Sequence, residues 1–179
     1  MSHTIVKFDI SASAPSIVGG AGTSIKRFSD RTNLSDLLLP FGSTIDGQTF
    51  EVYASGFIST PAGRVTYVVQ ANTNPSLTEA GVYVDLARGS NIPGASDVPF
   101  HIALVLMGHS ATGKVQGWVE SMMLGGVSFP KKATTPLQIN FIRTDTHIAP
   151  FSLAMGVIFE ESAEENRAAL TEFRAVQKG

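Results

Sequence analysis

Apolar and polar side chains alternate along many short stretches of this chain. Phe50, Val52 and Ala54 alternate with Glu51 and Tyr53. A two-residue period places every second side chain on the same face of a β-strand. The pattern predicts strands here and at residues 4–10, 65–69, 81–86, 114–122 and 136–143.

Two further apolar runs begin with the same dipeptide, Pro-Phe. Pro99-Phe100 opens a run that ends near Met107, and Pro150-Phe151 opens one that ends near residue 159. Proline has no N–H to donate to a strand ladder, so the first residue of a strand tolerates it. Both runs are too short and too rich in branched residues to favour a helix. We therefore expect two core strands anchored by Phe100 and Phe151.

Turn-forming residues separate the predicted strands. Residues 59–63 and 108–113 are rich in Gly, Pro, Ser and Thr, which favour turns. Residues 168–176 predict a closing strand, although 168–170 also suit a helix. Residues 37–39 form either a short strand stopped by Pro40 or part of a capped helical turn. Eight to ten strands at this spacing predict an all-β, jelly-roll-like antiparallel β-sandwich with an extended N-terminal arm.

The first forty residues differ from the rest. The strand predicted at 4–10 is followed by a Ser-, Ala- and Gly-rich stretch at 11–23, which is typical of a flexible connection. We expect an N-terminal arm and linker at 1–40 and a β-sandwich domain at 41–179. The first strand is either an ordinary edge strand or an arm that pairs with a neighbouring subunit.

Composition narrows the possible functions. The chain has 179 residues, a formal charge of -2 and no cysteine, which excludes disulfides and Cys-based zinc sites. It has no basic stripe, no apolar stretch of about 20 residues and no secretion signal, so we expect neither nucleic acid nor membrane as a partner. Charged residues are only 16%, against 43% apolar residues. This balance predicts surface buried against other copies or partners.

Candidate catalytic and metal-binding residues do not form a recognisable motif. The four histidines, His3, His101, His109 and His147, lack ligand spacing. His101 lies in the outward phase of its strand. Asp145 and His147 would form a formal triad with a serine, but a triad is a geometry and the chain has no Gly-x-Ser-x-Gly elbow. We assign no catalytic residue and no metal ligand, and we expect that the protein is not an enzyme.

Two further segments are interpreted as turns. Residues 108–114 match the beginning of a phosphate-binding loop, but Val115 stands where Ser or Thr is required and a strand follows. We therefore assign no cofactor. The densest acidic run predicts a solvated turn, with a weak cation site at a subunit contact as the alternative; it comprises Glu160, Glu161, Glu164 and Glu165.

The aromatic residues are the remaining candidates for binding. Trp118 is the sole tryptophan and follows Gly117. It is either a packing residue, an interface anchor or a platform on which a sugar ring stacks. For a sugar-binding surface, Tyr53 and Tyr83 would be its partners.

Several segments together resemble tailed-bacteriophage virion proteins that carry a jelly-roll domain. The resemblance covers roughly residues 47–176 and leaves residues 1–40 outside. It rests on the strand patterns of five segments, which are residues 48–56, 99–102, 113–117, 150–153 and 170–173.

The resemblance implies a non-enzymatic virion structural protein. The first hypothesis is a capsid decoration, or cement, protein, which binds the major capsid protein on the outer capsid surface and stabilises the shell. It would be synthesised in the cytoplasm of the bacterial host and assemble as a homotrimer, since closed cyclic symmetry satisfies a repeated patch. Tail and fibre proteins share similar jelly rolls, so the alternative is a tail or fibre module that binds carbohydrate receptors.

Overall fold

Two antiparallel β-sheets make up the described part of the computed structural model, which comprises residues 5–7, 16–28, 37–39, 49–72, 83–90, 94, 96–109, 114–135, 137–138 and 151–178. The strands are β1 (Ile5–Lys7), β2 (Ser16–Gly19), β3 (Lys26–Arg27), β4 (Leu37–Leu39), β5 (Thr49–Ser59), β6 (Val65–Asn72), β7 (Tyr83–Ser90), β8 (Val98–His109), β9 (Lys114–Leu124), β10 (Val127–Phe129), β11 (Lys132–Ala133), β12 (Leu137–Gln138), β13 (Phe151–Phe159) and β14 (Arg167–Lys178).

The larger sheet has the order β1-β14-β5-β8-β9-β10. The C-terminal strand β14 thus pairs with β5, which pairs in turn with β8. The smaller sheet has the order β3-β13-β6-β7. Strands distant in sequence are therefore neighbours, as the crossovers of a jelly-roll-like sandwich require.

Short strands line three of the sheet edges. β1 and β2 both pair with β14, and β3 and β4 both pair with β13, so these four strands line one edge of each sheet. β10, β11 and β12 line the far edge of β9. Covered edges present few free N–H and C=O groups to other chains, which lowers the risk of edge-to-edge aggregation.

The core lies between the two sheets. The inward side chains of β5 and β8 include Phe50, Ile58, Ile102 and Leu104, which are each at most 2% exposed. Phe100 is 3% exposed, and its ring centroid lies 4.7 Å from that of Tyr67 on β6. The predicted inward phase of these strands is confirmed, and so is Phe100 as a core anchor.

Most of the predicted elements are confirmed. Both Pro-Phe runs are strands, although the side chain of Phe151 lies outside the described residues. Residues 37–39 and 168–170 form strands, which settles both helix alternatives. The described residues form fourteen strands, more than predicted, because the additional strands of two to four residues are too short to display an alternating pattern. The predicted strand at 136–143 is described only at 137–138.

The N-terminal strand pairs with β14 of its own chain, where Ile5 lies opposite Val176. In the single chain this strand is therefore an ordinary edge strand, which was one of the two interpretations of the sequence. Pairing with a neighbouring subunit and the division of the chain at residue 40 stay predictions. In the described residues no helix is both long and apolar enough to cross a membrane.

Among the described residues, one polar atom of the core has no hydrogen-bond partner. The hydroxyl of Tyr67 is buried without a donor or acceptor in reach, and the residue is 1% exposed. An unsatisfied buried hydroxyl costs about 1–3 kcal/mol. We expect Tyr67→Phe to raise the free energy of unfolding by about 1 kcal/mol, measured by urea denaturation at pH 7.

We also expect Tyr67 to lower the free energy of unfolding in alkali. Burial raises the pKa of Tyr67 well above its usual range. Above a pH of about 10 the unfolded tyrosine loses its proton while the native one keeps it, so ionisation favours the unfolded state. The stabilising effect of Tyr67→Phe should therefore grow between pH 10 and 11. An effect that is constant over this range would contradict the burial of the hydroxyl.

Candidate functional site

Outward side chains of the larger sheet form a grid, which is interrupted where the β8–β9 register shifts and leaves Glu120 as an extra residue of β9. Strands β14, β5, β8 and β9 lie side by side, and their pairing register places outward residues in four rows. We call this grid the outer face. Its rows are, in order, Lys178, Thr49, Met107 and Gln116; Val176, Glu51, Val105 and Trp118; Arg174, Tyr53, Ala103 and Ser121; and Glu172, Ser55, His101 and Met123.

The β8 and β9 half of the outer face is largely apolar. Three large side chains are exposed there, namely Met107 (39%), Trp118 (36%) and Met123 (45%). Phe57 (48%) extends the face by one row, and these four are the exposed large hydrophobic residues of the described part. Apolar side chains gathered on one face are typical of a contact surface, whereas single scattered ones are common on any protein.

The β14 and β5 half carries a ladder of alternating charge. Lys178 pairs with Glu51, and the other carboxylate oxygen of Glu51 accepts a 2.6 Å hydrogen bond from the hydroxyl of Tyr53. Arg174 stacks its guanidinium 4.4 Å from the centre of the Tyr53 ring and pairs with Glu172. The cations and anions of this half therefore neutralise one another within the chain.

These contacts perturb the pKa values of the ladder. The hydrogen bond from Lys178 and, after it, the one from Tyr53 lower the pKa of Glu51. The hydrogen bond to Glu51 raises the pKa of Tyr53, with burial as the next cause. Glu51 therefore stays charged and Tyr53 stays neutral at neutral pH, so the ladder keeps its charge order.

Trp118 is fixed by neighbours on both sides. Its indole Nε1 donates a 2.7 Å hydrogen bond to Glu120, whose other carboxylate oxygen pairs with Lys131. The hydrogen bonds from Lys131 and then Trp118 lower the pKa of Glu120. The preceding Gly117 is held by Thr134, which exchanges two hydrogen bonds with its backbone. A side chain anchored in this way loses little conformational entropy on binding.

Ser55, His101 and Glu172 meet at the last row of the outer face. The Ser55 hydroxyl lies 3.0 Å from His101 Nδ1 and 3.4 Å from Glu172. In a nucleophilic triad the histidine stands between the acid and the serine, whereas here the serine stands between the other two. The arrangement cross-links β14, β5 and β8 and lacks the order of a nucleophilic triad.

The other candidates from the sequence lie apart from this face. Tyr83 is on β7 of the smaller sheet, with the Arg27 guanidinium 3.9 Å from its ring centre, so only Tyr53 and Trp118 share a face. The acidic run forms the turn between β13 and β14, as predicted. Lys114 begins strand β9, which is incompatible with a phosphate loop that leads into a helix.

Several predicted candidates are not described. His3, Asp145 and His147 lie outside the described residues, and only the backbone of His109 is described. Among the residues that are described, no three His, Asp or Glu side chains come together as a metal site.

Sequence reasoning did not single out the charged ladder or the two exposed methionines. Arg174, Glu172 and Glu51 do occupy outward phases of their strands, which alternation in sequence already indicates. Their proximity depends on the pairing of β14 with β5, and no local pattern encodes that pairing.

Comparisons with known proteins give no family assignment. No family model matches the chain, and no curated protein matches it. Among solved structures, lectin I from Ulex europaeus in complex with a methyl glycoside of α-L-fucose has 8% identity and a TM-score of 0.45, with 99% of this chain and 98% of that chain covered. Lectin I-B4 from Griffonia simplicifolia has 8% identity, a TM-score of 0.39 and full coverage of both chains. Peanut lectin has 8% identity, a TM-score of 0.40 and coverages of 99% and 98%. Likeness at this level says nothing about what this chain binds.

Proposed function

We propose that this chain is a non-enzymatic virion structural protein, of the type that decorates and stabilises a bacteriophage capsid. The observation that carries the proposal is the gathering of exposed apolar side chains on one face of a rigid sheet. Met and Trp are enriched at protein interfaces, and a polar surround such as the ladder of Lys178, Glu51, Arg174 and Glu172 is typical of an interface rim. The resemblance of the strand patterns to phage virion proteins supplies the biological setting.

The contacts of the candidate residues support a role in assembly over one in catalysis. Ser55, His101 and Glu172 cross-link three strands and lack the order of a catalytic relay. The covered edges and the buried core give a stiff scaffold on which many identical copies can bind a lattice. Binding to many identical sites adds avidity to each weak contact.

The proposal is tested on phage particles released from cells that carry this gene. We expect immunogold labelling and mass spectrometry to find the protein on the capsid in many copies per particle. Particles made without it should release DNA at a lower temperature, because the shell loses its external support. Absence of the protein from purified particles would overturn the proposal.

Carbohydrate binding by a tail or fibre module is the second candidate. The observation that favours it is the presence of Trp118 and Tyr53 on one face, with the carboxylates of Glu120 and Glu51 beside them. The register puts their Cα atoms two strands and one row apart, which is about 12 Å. Aromatic platforms flanked by hydrogen-bond acceptors suit sugar rings. Glycan-array binding that Trp118→Ala abolishes, together with labelling of the tail, would favour this candidate over capsid decoration.

A further inference from the structure

We propose that the outer face is a contact between two copies of this chain, related by a two-fold axis that crosses the strands between the rows of Glu51 and Arg174. The inference deepens the proposed function, on which it rests for its biological setting, because it names the partner of the same face. It stands on the order of charges and side-chain sizes along the four rows.

A two-fold axis in the plane of the face reverses the order of the rows. The row of Lys178 then faces the row of Glu172 in the other copy, and the row of Glu51 faces the row of Arg174. The same patch serves on both sides, as in any isologous contact. Sheets that pack face to face lie about 10 Å apart with their strands within about 30° of each other. β5 pairs with β8 in continuous register, whereas the β8–β9 register shifts by one residue between Ala103 and Leu104, at the level of the proposed axis.

The charges of the face are complementary under this reversal. Along the rows the ladder reads positive, negative, positive, negative, from Lys178 through Glu51 and Arg174 to Glu172. After reversal every cation faces an anion, so Lys178 meets Glu172 and Glu51 meets Arg174. Because Arg174 lies over the Tyr53 ring, its guanidinium already reaches the β5 column in which Glu51 stands.

Side-chain sizes are complementary under the same reversal. Trp118, the bulkiest residue of the face, would meet the other copy's row that holds Ala103 and Ser121, which are the smallest residues of the β8 and β9 columns. Val105 would lie over Ala103, and Met107 would lie over His101. A large side chain, Trp118, would therefore face a small one, Ser121, on both sides of the axis.

Near the axis, the charge of Glu120 is matched within each copy. Its carboxylate pairs with Lys131 and accepts the indole hydrogen bond of Trp118, so two copies would not bring bare carboxylates together. The four strands and four rows from Thr49 to Ser55 span a projected area on the order of 500 Å² per copy, and the relief of the side chains raises the accessible area toward the ~800 Å² per partner of standard interfaces.

The homotrimer expected from the sequence would use this face differently. A three-fold axis joins two unlike patches, so the reversed charge order and the fit of Trp118 to Ser121 would have no role in it. The mass of the assembly and a charge swap across the proposed axis distinguish the two symmetries.

The first experiment measures the mass of the purified full chain by sedimentation velocity and light scattering over a range of concentrations. The single chain has a mass of 19.0 kDa, so the two-fold contact predicts about 38 kDa, which is twice that value. A species of about 57 kDa, three times that value, would overturn the two-fold contact in favour of a trimer. A monomer at all concentrations up to about 100 μM would also overturn it, because association that weak would lie below the affinity of specific complexes.

The second experiment swaps charges across the axis. Arg174→Glu places a carboxylate against Glu51 of the other copy, twice per dimer, and should raise the dissociation constant about thirtyfold or more. Glu51→Arg should do the same. The double variant restores opposite charges across the axis, and we expect its dissociation constant to return to within about threefold of the wild-type value. Failure of the double variant to restore association would overturn the two-fold geometry.

The third experiment enlarges Ser121, the small residue that would face Trp118 of the other copy. Ser121→Arg places a bulky charged side chain where Trp118 of the other copy would lie, and should raise the dissociation constant by a similar factor. Ser24→Arg, the same substitution at an exposed residue away from the outer face, is the matched control and should leave association unchanged. Equal effects of the two variants would contradict the proposal, and thermal unfolding by circular dichroism verifies that both variants fold.

Failure of this inference and failure of the proposed function give different results. The mass and charge-swap measurements use the purified chain alone, while the virion proposal is tested on particles. A monomer that still labels capsids would overturn only the two-fold contact. A dimer that is absent from particles would overturn only the virion role.

Discussion

Replacing Phe100 by alanine is expected to lower the free energy of unfolding by about 3–5 kcal/mol, the range for truncating a buried aromatic side chain. Phe100 is 3% exposed and lies between the sheets with its ring against Tyr67. Gly56 on the neighbouring strand leaves the space that the ring fills, since a Cβ there would lie 2.8 Å from the Phe100 ring. Truncation would leave a cavity lined by groups that the strand ladders hold in place, so the site cannot collapse.

The matched control is Phe57→Ala. Phe57 lies one residue beyond Gly56 on β5 but points outward and is 48% exposed, so its truncation leaves no cavity. We expect a change within about 0.5 kcal/mol, as at most surface positions. Both variants are measured by urea denaturation at low protein concentration, where association through the outer face adds nothing. Equal losses for the two variants would contradict the assignment of inward and outward faces on β5 and β8.

Gly117→Ala is expected to destabilise the chain by about 3 kcal/mol or more, because the added methyl group overpacks against backbone. A Cβ at Gly117 would clash with the carbonyl oxygen of Val105 on β8, and only a shift of the β8 and β9 backbones can relieve this contact. The shift would also displace Trp118, the sole tryptophan. We therefore expect a change in the tryptophan emission spectrum together with the loss of stability.

Gly156→Ala is the matched control for this substitution. A Cβ at Gly156 would lie 3.2 Å from the side chain of Ile25 and 3.3 Å from the carbonyl oxygen of Lys26, so these neighbours need to move by only a few tenths of an ångström. We expect a change within about 1 kcal/mol, since alanine also reduces the entropy of the unfolded chain. A loss at Gly156 as large as that at Gly117 would mean that the close approach of β8 to β9 does not determine the effect.

Some residues of the outer face could be predicted from the local alternation of apolar and polar residues. The alternation from Phe50 to Ala54 correctly predicted that Glu51 and Tyr53 point away from the core. The outward phase of His101 was predicted for the same reason. Trp118 was singled out because it is unique and follows a glycine. In each case the signal lies within a few residues of the side chain, so the sequence carries it directly.

Other features of the face have no local signal. Tyr53 and Tyr83 were equal candidates in the sequence, yet Tyr53 lies in the larger sheet with Trp118 and Tyr83 lies in the smaller one. The ladder joins Lys178 to Glu51 across 127 positions of the chain. Contacts over such separations depend on which strands become neighbours, and that choice reflects the packing of both sheets together.

The sequence by itself determined that the chain is an all-β sandwich and which sides of β5 and β8 are buried, because a period of two residues fixes the two faces of a strand. Only the tertiary structure decided that β14 lies beside β5 and β9 beside β8, and hence that Trp118, Tyr53 and Arg174 share one surface. Alternation tells a strand which face to bury but not which strand to pair with. The order of charges and sizes on the outer face is a product of that pairing.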